Sequence, residues 1–221
     1  VKTVALVPAY NEADRIGATV QALRAVPGIN NVIVVDDAST DDTANAAETA
    51  GADVVRLSRN LGKGGAVNKA LSGGVPFDVI LLIDGDTGKT ASEAGKLLDP
   101  ILSGQTDMTV AVLPKKEGTG GFGLALGLAR RVIKSKTGSE AEAPLSGQRA
   151  LNEKAFKAAY PFAQGYGLET AMTVDVLRSG LKVKEVPAAF AHSYTYRNVR
   201  GFIHRGRQFL AILKVALRGR K

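Results

Sequence analysis

Cysteine and tryptophan are both absent from the 221 residues, and aromatic side chains of any kind make up only 5% of them. Without cysteine no disulfide can form, which suits a cytoplasmic protein. With so few aromatics, and none alternating with basic residues, there is no stacking platform for single-stranded nucleic acid, and no nucleic-acid partner is expected. No apolar run approaches the roughly 18 residues of a membrane-spanning helix, and no charged-apolar-small signal pattern opens the chain. Val1 stands where a start methionine would be, so the numbering reads as one that begins inside a longer stretch. Internal repeats and low-complexity tails are also missing.

Acid is scarce at one end only. The net charge of +8 is lopsided: the first half is nearly balanced, whereas Arg197 to Lys221 holds eight Lys or Arg and no acid. Such an end suits anionic lipid or a phosphorylated substrate.

What the chain does have is short, buried-looking strands that stop on acids. Val79 to Ile83 is five apolar residues, too few for a buried helix and rich in β-branching, so it reads as a strand covered on both faces. It ends on Asp84-Gly85-Asp86. Val4 to Val7 ends at Pro8 and the loop Ala9-Tyr10-Asn11-Glu12, and Val32 to Val35 ends on Asp36-Asp37. Asp53 to Leu57 and Met108 to Leu113 complete the strands of the first half. Between them lie helical patterns through Ile16, Val20 and Leu23, from Ala44 to Ala50 with Ser39 or Thr40 as cap, from Gly62 to Leu71, and through Leu97 and Leu98. Strict alternation with short connections predicts an α/β protein with a mostly parallel central sheet flanked by helices. Past residue 113 the pattern changes. Five glycines between Gly118 and Gly127 read as a mobile loop running into a helix that ends near Ile133. A helix around Ala155, a helix from Leu168 to Leu177, a strand from Val183 to Val186 and a long C-terminal helix follow.

In a parallel sheet the carboxyl ends of the strands share one edge, so the acids above converge on one crevice. Clustered carboxylates repel unless a cation or a set of donors is present. Asp36 or Asp37 can accept from the N–H groups of uracil or guanine, Asp84 from a ribose hydroxyl, and Asp86 can bind Mg²⁺ or Mn²⁺, with Gly85 allowing the tight turn between them. The segment Arg59-Asn-Leu-Gly-Lys-Gly-Gly65 opens a helix and offers amides and Lys63 to phosphate, although it lacks the spacing and the Lys-Ser/Thr ending of a P-loop.

In order, Pro8-Ala-Tyr-Asn-Glu12, Val35-Asp-Asp-Ala-Ser-Thr-Asp-Asp-Thr43, Arg59-Asn-Leu-Gly-Lys-Gly64 and Asp84-Gly-Asp86 resemble the signatures of family 2 glycosyltransferases, nucleotide-diphospho-sugar transferases of the GT-A fold. The resemblance implies that the first three, including Pro8, Ala9, Tyr10 and Glu12, line the nucleotide pocket and that the Asp-x-Asp holds the metal. It implies one GT-A domain, with a nucleotide-sugar half over 1–113 and an acceptor half over 114–221. Further on, Pro144-Leu-Ser-Gly147, Pro161-Phe-Ala-Gln-Gly-Tyr-Gly-Leu-Glu169 and His192 ahead of Arg197-Asn198 are similar in order to glucosyl-3-phosphoglycerate synthases and their mannosyl relatives. Dolichyl-phosphate mannose synthases resemble the first half equally. By that likeness Leu145, Ser146 and Gly147 face the scissile bond, Glu169 lies near the donor sugar and His192 completes the metal site.

Other readings stay open beside these. Glu169 also suits the start of a helix in any protein. Arg149 reads either as a contact for an acceptor phosphate or as a surface residue. The segment from Phe202 to Leu217, with Arg197, Arg200, His204, Arg205 and Arg207 nearby, packs on the domain, lies on an anionic membrane, or closes over the donor diphosphate. The activity expected is transfer of a sugar from a UDP- or GDP-sugar to an acceptor, either a phosphate-bearing small molecule or a polyprenyl phosphate. With a hydroxyl acceptor and inversion, Glu169 is the base and Asp86 the other catalytic residue. A sugar-phosphate nucleotidyltransferase and a non-catalytic nucleotide-sugar-binding protein are the alternatives, and a homodimer is compatible with the chain.

Overall fold

The computed structural model describes residues 1–114, 123–191 and 209–217. In chain order the elements are β1 (Thr3–Ala9), α1 (Ala13–Arg24), β2 (Asn31–Asp36), α2 (Thr43–Thr49), β3 (Asp53–Arg56), α3 (Gly62–Leu71) and β4 (Val79–Leu82). They continue with α4 (Ala94–Leu102), β5 (Met108–Val112), α5 (Leu124–Thr137), β6 (Arg149–Asn152), α6 (Glu153–Ala159), α7 (Leu168–Arg178) and β7 (Val183–Pro187). Residues 209–217 form a last helix, α8. Single 3-10 turns run over Gly88–Glu93 and Gly165–Gly167.

Among the described residues the strands form one sheet in the order β3-β2-β1-β4-β6-β5-β7, so both halves of the chain share it. All pairs are parallel except the two made by β6, which runs antiparallel between β4 and β5. Alternate strand residues face opposite layers, as the two-residue period of a strand requires. One layer packs Ala5, Val7, Val32, Val34, Leu81 and Ile83 under α1 and α4. The other packs Leu6, Ile33, Val35, Leu82 and Leu151 under α3, α6 and α7. A smaller cluster outside it joins α5 and α7 to Ile212 and Val215 of α8.

Several expectations change. The strand β6 was not anticipated: four residues that begin with an arginine do not make an apolar run. α2 begins at Thr43, and neither Ser39 nor Thr40 caps it; Asp41 accepts from the Thr43 and Ala13 amides instead. The glycine-rich stretch is shorter than expected as a loop, since α5 already starts at Leu124 and contains Gly127. Its first part falls on 115–122, outside the described residues.

Candidate functional site

The loops after β1 and β2 are stapled to each other before any ligand is considered. Asn11 donates its amide to Ser39 Oγ at 3.0 Å, and its own Oδ1 accepts from the Thr40 amide at 2.8 Å. Glu12 donates its amide to Thr43 Oγ1 at 2.8 Å. Asn11 (φ 55°) and Ala38 (φ 62°) sit in the left-handed region, which asparagine enters readily but alanine adopts only where the surroundings impose it.

The turn Asp84-Gly85-Asp86 is held from behind by a residue that helical periodicity alone cannot single out. Buried Thr19 of α1 donates to Gly85 O at 2.8 Å and accepts from the Gly88 amide at 2.8 Å. Thr87 adds a bond to Asp84 O at 3.0 Å. A side chain at position 85 would bring a Cβ within 3.1 Å of Ala9 Cβ, tighter than an ordinary contact, so β1 would have to give way to it.

The antiparallel strand completes the site. Leu82 pairs with Arg149, so β6 enters beside the carboxyl end of β4 and the segment that precedes it, Pro144–Gln148, faces the acids. The result is a cleft of ≈ 430 Å³ lined by Pro8, Tyr10, Glu12, Asp84, Gly85, Asp86, Leu113, Leu145, Ser146, Gly147 and Gln148. Nine of these are sequence-predicted site residues; Leu113 and Gln148 are not.

Lys63 is the charge partner of this cleft. Its Nζ lies 2.5 Å from Asp84 Oδ1 and 3.2 Å from Glu169 Oε1, while Gln148 Nε2 donates to the other Asp84 oxygen at 2.8 Å. Burial works to lower the Lys63 pKa, but Asp84 and Glu169 outweigh it and hold the ammonium above its ordinary range. Gly147 sits against this bridge: a Cβ there would come within 2.4 Å of Lys63 Nζ and 2.5 Å of Asp84 Oδ2. Across the cleft, burial pushes the Glu12 carboxyl up; Arg15, 2.9 Å away, opposes this and the nearby Asp86 reinforces it.

Four expectations are corrected. Ala9 is buried, its methyl filling the space under Gly85, so it contacts the core. Asp36 and Asp37 do not line the cleft. Asp37 accepts from the Leu61 and Gly62 amides at 2.7 and 2.8 Å and so caps α3, while Asp36 accepts from the Ser39 amide. The Leu61 and Gly62 amides are therefore already bonded, and from the Arg59–Gly65 segment it is the Lys63 side chain that reaches Asp84 and Glu169. Gly64 is small because Ala163 O lies against it. Arg149 is neither on the surface nor at an acceptor. It is fully buried, donating to Ser146 O at 2.8 Å, Thr173 Oγ1 at 2.7 Å and Pro144 O at 3.2 Å. Burial pulls its pKa down to about 10, with Glu169 and Glu185 acting in the other direction.

Arg197, Arg205 and His192 lie outside the described residues. Among the described residues no group of three or more acidic or histidine side chains could hold a metal ion. The donors that are present still fit a hard divalent cation. Asp86, with Glu12 nearby, offers carboxylate oxygen at an open cleft, and Mg²⁺ in particular is often held by one or two carboxylates with phosphate and water supplying the rest.

A mostly parallel, doubly covered sheet with Asp-x-Asp at the carboxyl end of β4 and an antiparallel strand returning beside it is the GT-A fold of nucleotide-diphospho-sugar transferases. The chain belongs to glycosyl transferase family 2, whose description matches residues 4–144. It is 33% identical over 193 residues to the glycosyltransferase AglJ of Haloferax volcanii, an alignment covering 84% of this chain and 61% of that protein. The chain thus spans about three fifths of that relative. Undecaprenyl-phosphate mannosyltransferase of Micrococcus luteus is 26% identical over 207 residues, covering 86% and 83%. The solved structure of glucosyl-3-phosphoglycerate synthase from Mycobacterium tuberculosis with Mn²⁺, UDP-glucose and phosphoglyceric acid superposes with a TM-score of 0.79 at 22% identity, covering 99% of this chain and 80% of that one. At that identity it bears on the fold alone.

Proposed function

We propose that this chain is a metal-dependent glycosyltransferase that moves a sugar from a UDP- or GDP-sugar to an acceptor oxygen. The observation that carries the reading is the cleft itself, where Asp84, Asp86 and the Lys63 bridge face the loop Leu145–Gly147. Family membership and the names of the sequence relatives support it.

In this reading Asp86 holds Mg²⁺ or Mn²⁺ together with the donor diphosphate, and His192 is its further protein ligand. The bound cation supplies charge stabilisation for the departing diphosphate. The chain's own part is positioning and electrostatics. Pro8, Tyr10 and Glu12 form one wall for the nucleotide, Asp84 takes a ribose hydroxyl, and Leu145 to Gly147 form the wall facing the sugar. Lys63 keeps positive charge between Asp84 and Glu169. If the acceptor is a hydroxyl and the anomer inverts, Glu169 takes its proton; a phosphate acceptor needs no base.

One feature favours a polyprenyl phosphate over a small acceptor. A mainly apolar cleft of ≈ 800 Å³ runs between Leu61, Gln164, Gly165 and Gly167 on one side and Leu210, Ala211, Lys214 and Val215 of α8 on the other. Two of its lining residues, Leu61 and Gly167, lie two positions in the chain from Lys63 and Glu169. The exposed Leu210, Leu213 and Leu217 of the same helix suit peripheral contact with an anionic membrane.

The test is thermal stabilisation by UDP-glucose and GDP-mannose with and without Mn²⁺, because a ligand bound only by the native state raises the melting temperature. Asp86→Ala should abolish the Mn²⁺-dependent part and leave the unliganded melting temperature unchanged. Donor binding with unaltered metal dependence in that variant would refute the assignment.

A further inference from the structure

The polar groups at the site form a closed circuit that reaches from solvent into the core. Asp84 accepts from Gln148 and pairs with Lys63; Lys63 pairs with Glu169. The Glu169 carbonyl accepts from Thr173 Oγ1 at 3.1 Å, and Thr173 Oγ1 accepts from Arg149 Nη1 at 2.7 Å. Arg149 follows Gln148 in the chain, which closes the ring. Asp84 and Gln148 line the cleft, whereas Arg149 and Thr173 are 0% and 3% exposed.

Burying a guanidinium with no carboxylate in direct contact costs stability. A hydrophobic side chain would fill that space at less cost, yet here all three bonds to Arg149 run to the two segments that carry the site. Two go to the carbonyls of Pro144 and Ser146 and one to Thr173 in the first turns of α7, whose first turn holds Glu169. We propose that Arg149, acting through Thr173, is a positioning residue for the transfer step: it fixes the separation between the loop Pro144–Gly147 and the Glu169 end of α7. This rests on the glycosyltransferase reading. Neither residue touches the donor cleft, so loosening them changes how the sugar and Glu169 meet while leaving nucleotide binding alone.

The experiment compares Thr173→Val, which keeps the shape and removes the hydroxyl, with Thr173→Ser, which restores it. Nucleoside diphosphate release is measured with Mn²⁺ and whichever of UDP-glucose and GDP-mannose the wild type turns over. The expected result is kcat lowered roughly tenfold in Thr173→Val, a donor KM within about twofold, and kcat recovered in Thr173→Ser. A lowered melting temperature with unchanged kcat would make the bond merely structural and overturn the proposal. If the wild type turns over neither donor, it is the glycosyltransferase reading that falls, and hydrogen exchange decides this one separately. Amides of 144–148 and of 168–172 should then both exchange roughly tenfold faster in Thr173→Val and recover in Thr173→Ser. Acceleration confined to α7 would overturn the coupling.

Discussion

At the scale of single residues, the side chains that do the most for the site are those with the least sequence signal. Asp84, Asp86, Glu12 and Lys63 could be named because acids and a lysine at strand and helix ends have few other uses. Thr19 and Gln148 could not, because their partners lie more than sixty residues away, and neither could Thr87 or the burial of Arg149, because their bonds to nearby carbonyls exist only once the turn after β4 and the start of β6 are folded. Thr19→Val tests this directly. It keeps the shape but removes the two bonds to Gly85 O and the Gly88 amide, and should cost about 1–3 kcal/mol in denaturant unfolding while weakening nucleotide-dependent stabilisation. Gly147→Ala makes the complementary point. Its methyl would displace Lys63 from Asp84, so donor affinity should fall roughly tenfold or more by calorimetry, with the melting temperature little changed.

Among the elements, five of the seven strands were legible to within a residue or two as apolar runs, and β1, though two residues longer at its carboxyl end, was found by the same signal. The exception, β6, holds a charge and owes its place to β4 and β5 on either side. The partner of the first amides of Arg59–Gly65 was hidden for a related reason, since those of Leu61 and Gly62 are satisfied by Asp37, over twenty residues earlier. Asp37→Ala should therefore destabilise the fold by about 2 kcal/mol, more than loss of an exposed acid would. A second carboxylate joins three strands. Asp107 accepts from Asn152 at 2.9 Å and from the Lys182 amide at 2.9 Å. Its burial acts to raise its pKa, but those bonds and nearby lysines prevail and hold it below the ordinary 3.8. A depressed carboxyl pKa stabilises the fold above 3.8 and is lost as pH falls through the folded-state value. Asp107→Ala should thus cost about 1 kcal/mol at pH 7, and urea titrations of wild type and variant should converge below pH 3.8.

For the whole molecule, alternation of strand and helix was enough to anticipate a doubly covered sheet with its acids on one edge. Packing of the C-terminal helix on the domain was one of the readings of its apolar face and is what Ile212 and Val215 do, whereas its partners α5 and α7 were not legible, because these helices meet through modest apolar stripes. α8 is buried at Ile212 and Val215 yet exposed at Leu210 and Leu213, so one side of the helix packs on the domain and the other faces solvent. The chain should co-sediment with vesicles containing anionic lipid at low salt and be released as salt is raised. Replacing Leu210 and Leu213 with Glu should abolish co-sedimentation without loss of fold, and unchanged sedimentation would leave α8 a packing element alone.

The pairing of Leu82 with Arg149 also works as a gauge for spacing. Backbone bonds between β4 and β6 decide how far Gln148 stands from Asp84, whatever the contour length of the chain between them. Sliding one strand by two residues would move these groups roughly 6–7 Å apart, and sliding it by one would send Arg149 to the opposite face of the sheet. Insertions or deletions in residues 113–143 can therefore reshape the surroundings of the cleft while the distance between Gln148 and Asp84 stays constant.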